Sequence, residues 1–416
     1  MLATPELLQE AAQPSRLSAE LTRCVQEIPL YRQDSGQTGG SGRLETWPLI
    51  TKENIRRNFP ANFLGSELDL EYLLETEVAE LEHTSGTSEV RTPLLLPKGW
   101  WAEQEKKAVS LNHWVCGILA ENPSARRATI NSPVCSGDIR YNGVPSMDER
   151  VVGNSLFVSL SRFPFLWGQR DLDRIASEII EWKPEFLDVD PVYGVVFALY
   201  CEAHRIRIPS LRFIICSYEF VSVVHRAILS RVFGVPVLDL YGSTETGHLL
   251  MEDEQGEMRP SLETAFFEVI ETDEFGVGNL VVTTLSNPLM PLIRYRIGDL
   301  VERSDTPYGS RYVLHGRVAD AFHISGESRF TTRQVDQCFL NTNGIAHYQL
   351  LQMPQRRWLL KYVAQGEGPQ PSELSLLEER LRLLLQSPGP INLLRTDVLA
   401  PESSGKFRLG YPASKP

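Results

Sequence analysis

"FLDVDPVYGVVFALYCEAHRIRIPSLRFIICS" (186–217) is the stretch on which the fold reading turns. "FLDVD" and "LRFIICS" are short apolar runs of strand type, and "VYGVVFALYCEAHRI" between them carries helical spacing. The same alternation continues on both sides. Upstream lie "WWAEQEKKAVSLNHWVCGILAE" (100–121) as a helix, "SLFVSL" (155–160) as a strand and "DLDRIASEIIEWKP" (171–184) as a helix. Downstream, "VSVVHRAILSRVFG" (221–234) reads as a helix and "PVLDLYG" (236–242) as a strand. Strands alternating with helices predict an α/β fold with a mostly parallel sheet covered by helices. Binding sites in such sheets lie in the loops beyond the carboxyl ends of the strands.

The texture changes after residue 260. "AFFEVIE" (265–271), "GNLVVTTL" (278–285) and "YVLHG" (312–316) look like antiparallel strands. From about Gly316 onward, "AFHIS", "YQLLQM", "RWLLKYV" and a helix at 372–386 suggest a smaller α+β unit. The expected division is therefore a large domain over 1–316 and a small one over 317–416. Residues 5–29 read as a helix, and "DSGQTGGSGR" (34–43) as a flexible tract. "WPLITKENIRRNFP" (47–60) reads as a proline-bounded helix with Thr51 as N-cap and Glu53 nearby.

Composition narrows the function classes. The 416 residues are 42% hydrophobic and 23% charged, with 41 basic against 53 acidic side chains and a net charge of −12. That argues for a packed globular protein and against a nucleic-acid binder, which presents a basic face to phosphate. An anionic nucleotide would need local cations and metal to overcome the background field. Cys24, Cys116, Cys135, Cys201, Cys216 and Cys338 include no C-x-x-C pair, so free thiols in a reducing compartment are expected. "MLATPELLQEAA" lacks the features of a signal peptide, and the longest apolar run, "VYGVVFALYC" (192–201), is about half the ~20 residues of a membrane span. A cytoplasmic protein with no membrane association is expected. There is no H-E-x-x-H or G-x-S-x-G motif. A metal cluster of Cys135, Cys216 and a histidine stays open as a minor alternative.

Five polar stretches stand where strands hand over to loops. "HTSGTSEVRTP" (83–93) gathers five hydroxyls around Gly86, as a surface loop or a phosphate cradle would. "LDLYGSTETGHLL" (238–250) leaves an apolar strand for glycines, hydroxyls and one carboxylate, Glu245, suited to phosphate and Mg²⁺ or to an ordinary turn. "MPLIRYRIGDL" (290–300) sets Asp299 after Gly298 at what reads as a strand end, where it could accept from both ribose hydroxyls. "HGRVADAFHISGE" (315–327) offers Arg317 to a phosphate, and "SSGKFRL" (403–409) shows Lys406 on a small-residue turn.

Taken in order, these stretches resemble the adenylate-forming superfamily of acyl-CoA synthetases, NRPS adenylation domains and luciferases, and within it the phenylacetate-CoA ligase-like enzymes. The resemblance covers about residues 47–410 and includes "WPLITKENIRRNFP". It implies a mobile C-terminal domain that joins the large one through a hinge and carries a catalytic lysine. It places Thr84, Ser85, Gly86, Thr87 and Ser88 at the ATP phosphates, and Ser217, Tyr218 and Glu219 in the adenine-side loop. Tyr241 would lie against the adenine, with Gly242 and Ser243 beside it among the nucleotide-binding positions, Thr244 at the α-phosphate, Glu245 on Mg²⁺, Asp299 on the ribose, and Arg317 at phosphate or ribose. Lys406 would bridge carboxylate and phosphate; Lys406, Thr244 and Glu245 form the catalytic set.

Two positions depart from the family pattern. Glu89-Val90-Arg91 follows Ser88 where Gly-Lys is common, which leaves Arg91 as the cation there. Ala319 stands where the hinge usually has its first Asp, and only Asp320 remains.

The activity implied is ATP-dependent conversion of a carboxylic acid to an acyl-adenylate, with release of pyrophosphate, followed by transfer to a thiol of CoA or carrier-protein phosphopantetheine. His113, Trp114, Phe163, Phe165, Trp167, Cys216, Tyr218 and Gly242 are candidate acyl-pocket walls. The aromatic run "RFPFLWG" (162–168) favours a flat ring substrate or, equally, a packed core. Transfer of the adenylate to a protein or amine, and a catalytically impaired nucleotide-binding homologue, are the alternatives. The expected state is a monomer or homodimer.

Overall fold

In the computed structural model, the described residues are 5–32, 43–65, 68–84, 91–133, 145–307, 309–325 and 328–413. The chain forms two compact units, each built from two separate stretches: Met1–Gly117 with Leu240–Leu314, and Ile118–Asp239 with His315–Pro416. Residues 315–416 thus cluster with 118–239.

The second unit contains the predicted parallel sheet. Strand Arg127–Ile130 lies between Ser155–Phe157 and Phe186–Val189; Phe186–Val189 then pairs with Phe213–Cys216, all in parallel. All four residues of Phe213–Cys216 are buried, as expected for a strand covered on both faces. The helices Gln169–Trp182, Pro191–His204 and Val223–Phe233 connect these strands. Asp190 starts the second helix by accepting from Val192 N at 3.0 Å, with Pro191 in the first turn where no N–H is needed. Arg205 ends it in a left-handed conformation. "SLFVSL" is shorter than expected: Pro164 and the turns before it end the strand at Phe157.

The C-terminal part of this unit is a four-stranded sheet in the order Asn392–Thr396, Arg357–Ala364, Ile345–Met353, Gly410–Tyr411, with helix Pro371–Leu384. One core runs through the whole unit. Val189, Tyr193, Ile228 and Leu229 share it with Phe322, Tyr348, Trp358 and Phe407. At about 1.5–3 kcal/mol for each large apolar side chain buried, this shared core holds the two stretches together.

The first unit is antiparallel. Its strands run Ala265–Ile270, Val277–Thr284 and Tyr295–Thr306, and Gly247–Glu252 pairs with both Met258–Pro260 and Leu240–Ser243. A separate hairpin pairs Ala79–His83 with Pro93–Pro97. Helix Pro5–Glu27 contributes Leu17, Leu21 and Cys24 to a core with Trp47, Ile55, Leu94–Leu96 and Tyr295.

Three local expectations are corrected here. The stretch 100–121 is two helices, Trp100–Val109 and His113–Glu121, because Asn112 turns its side chain to cap the second through Val115 N. The helix read over 47–60 is confined to Lys52–Arg56, and its Thr51 cap closes with Asn54. Asp299 lies within the long strand Tyr295–Thr306: between Arg296, opposite Val281, and Leu300, opposite Asn279, extra residues bulge out.

Candidate active site

In the first unit, "LYGSTETGHLL" folds as a tight hairpin in which Ser243 pairs with Gly247. The Ser243 and Thr246 hydroxyls meet at 2.8 Å across the turn, and Thr246 N donates to Ser243 O. Gly242 is required: a Cβ there would come within 2.2 Å of Gly247 O. The sequence reading of a strand passing into an open loop gives way to this turn, in which Thr244 is half-buried and Glu245 buried.

Glu245 accepts from Tyr295 Oη at 3.1 Å, and Lys52 Nζ lies 2.8 Å from its Oε1. Burial alone pushes this carboxyl up; the Lys52 charge and hydrogen bond outweigh it, so Glu245 sits below its ordinary range and is ionised. Two features fix Lys52 beside it. Ile50 bridges to Tyr295, and Arg294 holds the preceding segment, donating to Glu45 O and Trp47 O at 2.9 and 2.8 Å. Sequence reading missed Lys52.

Tyr241 Oη donates to Asp299 Oδ2 at 2.7 Å, so the bulge in one strand and the start of the hairpin are tied directly. Gly298, at φ 97°, makes the bulge. Thr84 is buried and closes the mouth of the 79–97 hairpin: its N donates to Thr92 O at 3.0 Å, and its Oγ1 accepts from Thr92 N. Ser85, Gly86, Thr87 and Ser88, with Glu89, lie outside the described residues, while Arg91 is exposed. His113 and Trp114 begin the helix His113–Glu121; Trp114 is 40% exposed and its N donates to Glu254.

In the second unit, three strand ends converge. Ser217 Oγ and Tyr218 Oη each donate to Asp188 at 2.9 Å. Tyr218 is held at φ 76°, a strained conformation for a residue with a side chain, and its carbonyl accepts from Lys406 Nζ at 3.0 Å. Glu219 accepts from Phe407 N. The Lys406 turn is fixed by Gly405, at φ 84°, where a Cβ would lie 1.9 Å from Ser132 Oγ. Tyr193 Oη also donates to Gly405 O at 3.0 Å.

Of the acyl-pocket candidates, Trp167 and Cys216 are buried in the core and Phe165 packs against it, its ring stacked on His347 and edge-on to Phe407. Phe163 is half-buried under the Arg162 guanidinium. Arg317 is exposed. Asp320 is buried and paired with Arg408, whose guanidinium also donates to Ala319 O. Cys135 lies outside the described residues, and among those described no group of three or more His, Cys, Asp or Glu could hold a metal ion. No described helix is long and apolar enough to cross a membrane.

No protein-family profile matches the chain. It is similar to the phenylacetate-coenzyme A ligase of Escherichia coli (strain K12), 23% identical over 367 residues that span 82% of this chain and 78% of that one. Among solved structures it is similar to 2-hydroxyisobutyryl-CoA ligase in the postadenylation state, with a TM-score of 0.70, 16% identity, and coverage of 100% of this chain and 90% of that one. It is also similar to an anthranilate CoA ligase in complex with anthranoyl-AMP, with a TM-score of 0.56, 13% identity, and coverage of 79% and 65%. At such identities the structures speak for the fold alone. In sequence this chain is phenylacetate-CoA ligase-like, and its fold is that of the adenylate-forming ligases.

Proposed function

We propose that this protein is an acid–thiol ligase: it activates a carboxylic acid with ATP to an acyl-adenylate, releasing pyrophosphate, and passes the acyl group to the thiol of CoA. The observation that carries this reading is the direct bonding of Tyr241 to Asp299 beside an ionised, buried Glu245. Tyr241 and Glu245 belong to one glycine hairpin, to which Asp299 is tied from far away in sequence, and Glu245 is buried at a cost in desolvation that packing alone does not require. The residues fit Mg²⁺. A single ionised carboxylate with neighbouring hydroxyls is the donor set this ion takes when substrate phosphates and water complete its shell. Glu245 would hold the ion, which when bound offsets phosphate charge. Lys52, now on Glu245 Oε1, would have to yield that oxygen.

The chain's own residues then have these roles. Asp299 receives the ribose hydroxyls and Tyr241 lies along the adenine. Thr244 reaches the α-phosphate. The role given to the Lys406 ammonium is to lower the repulsion between the two anions that must meet, substrate carboxylate and α-phosphate. Ser217 and Tyr218, tied to Asp188, shape the adenine side of the loop. We assign an aromatic acid from the aromatic density of 162–168, with Phe163 as the ring most available to it. CoA is preferred to a carrier-protein arm because the relatives are named as CoA ligases.

The test is acid-dependent exchange of pyrophosphate into ATP across a panel of aromatic and short aliphatic acids, followed by thioester formation with CoA. Exchange with at least one aromatic acid is expected. ATP binding with no exchange for any acid would leave a nucleotide-binding homologue without ligase activity.

A further inference from the structure

Asp190 and Glu219 lie beside the Lys406 turn; Asp190 has no role in the chemistry above, and Glu219 is placed there only in the adenine-side loop. Asp190 is fully buried at the end of strand Phe186–Val189, and its Oδ1 is used in capping the next helix. Its Oδ2 is buried and meets no N–H or O–H donor among the described residues. The Asp190 and Glu219 carboxyls lie within hydrogen-bonding reach of each other. Glu219 as a residue is half-buried, but its carboxyl is turned inward, accepting from Phe407 N. Two ionised carboxylates have only acceptors to offer each other. A buried contact between them is satisfied when one proton lies between the two.

We propose that Asp190 and Glu219 form a carboxyl–carboxylate pair sharing one proton, whose single negative charge positions the Lys406 ammonium. The proposal rests on the ligase reading for what Lys406 does, but not for the existence of the pair. The charged group that faces the pair is Lys406; Asp188, on the same strand, is instead engaged by Ser217 and Tyr218. Burial raises both carboxyls, and Lys406 draws both back toward ionisation. A pair with no proton would place two charges in a buried site, whereas a pair with two protons would leave Lys406 no counter-charge. One proton balances both requirements. The arrangement also fixes the turn mechanically, since Glu219 bonds the backbone of Phe407 and Gly405 is wedged against Ser132.

The first measurement needs no variant and no substrate: the infrared carbonyl band of a protonated carboxylic acid in the whole protein at neutral pH. That band is expected in the wild type and is expected to vanish in Asp190→Asn and in Glu219→Gln. Each amide takes the place of the protonated partner and leaves one carboxylate ionised. Absence of the band in the wild type, or its survival in both variants, would overturn the pair.

The second measurement is the pH profile of acid-dependent pyrophosphate exchange. Each single variant should lose the alkaline fall that marks departure of the shared proton. The double variant D190N/E219Q, which keeps an acceptor for Phe407 N but has no charge, should fall about tenfold or more below either single one. Profiles superimposable on the wild type would reduce the pair to packing. If the band behaves as stated while the wild type shows no exchange with any acid, the pair stands and the ligase reading fails.

Discussion

At the scale of single residues, the site is governed by what each buried charge has for company. Lys406 is the clearest case, because the role proposed for it belongs to one half-reaction. Lys406→Ala should cut adenylation by more than ~100-fold and leave thioester formation from supplied acyl-adenylate much less affected, the loss typical of one electrostatic group. Rapid-quench assays of the two steps separately would show it, and equal losses would contradict the role. Lys52 makes a different kind of prediction. The folded-state value of Glu245 is depressed, so the stability it contributes is present above the ordinary carboxylate range and is lost as pH falls through it. Without Lys52, burial is uncompensated and the carboxyl moves up. Lys52→Ala should therefore match the wild type in Tm at acid pH and fall behind above about pH 4.3. The Lys52 side chain is 42% exposed, which limits the gap to about 1 kcal/mol. A gap independent of pH would remove Lys52 from Glu245.

At the scale of elements, turns and bulges place the chemistry. The bulge before Leu300 brings Asp299 to Tyr241, and the phenol already engages one carboxylate oxygen. Asp299→Asn keeps an acceptor for Tyr241 but cannot receive two ribose hydroxyls. It should raise KM for ATP about tenfold or more and erase most discrimination against 2′-deoxy-ATP, a loss of about 1.5–3 kcal/mol for hydrogen bonds to a charged group. Steady-state kinetics with both nucleotides would check it; undiminished discrimination would place the ribose elsewhere. Strand and helix types over 155–242 were legible because apolar periodicity reports burial directly. The hairpin at 242–247 and the bulge were not, since both depend on partners outside their own segment. Gly247, at φ 75°, is pressed against Trp100 and Gln104, and the bulge exists only relative to Asn279 and Val281. The Lys52–Glu245 contact was hidden for the same reason: a lysine after an N-cap looks solvated until its distant partner is known.

At the scale of the whole molecule, the extent of packing between 118–239 and 315–416, which form one unit, bears on the proposed mobility of 317–416. Asp336 accepts from Ser222 Oγ, Val223 N and Tyr348 Oη. Beside it His225 Nε2 meets His347 Nδ1 at 3.1 Å, with the outer nitrogens, Nδ1 of His225 and Nε2 of His347, buried without a partner among the described residues. Any rotation of the C-terminal segment about 317–320 has to separate these contacts. Aromatic rings enclose His347: Phe165, Tyr348 and Phe407. Burial lowers both imidazoles, His225 to about 3 and His347 well below its usual value, with the neighbouring ring charge adding to the effect on His347. Because the folded values are depressed, the neutral pair lends stability that is complete above about pH 6.5 and drains away as pH falls toward the folded value of His225. Unfolding free energy from denaturant titrations should therefore decline over that range by up to about 1.4 kcal/mol per pH unit for each histidine. The double variant H225N/H347N, less stable at neutral pH, should lose this part of the slope. A variant whose stability falls with pH as steeply as the wild type would show that other groups drive the acid response, and that the histidine pair does not govern how firmly strand Ile345–Met353 is held to helix Val223–Phe233.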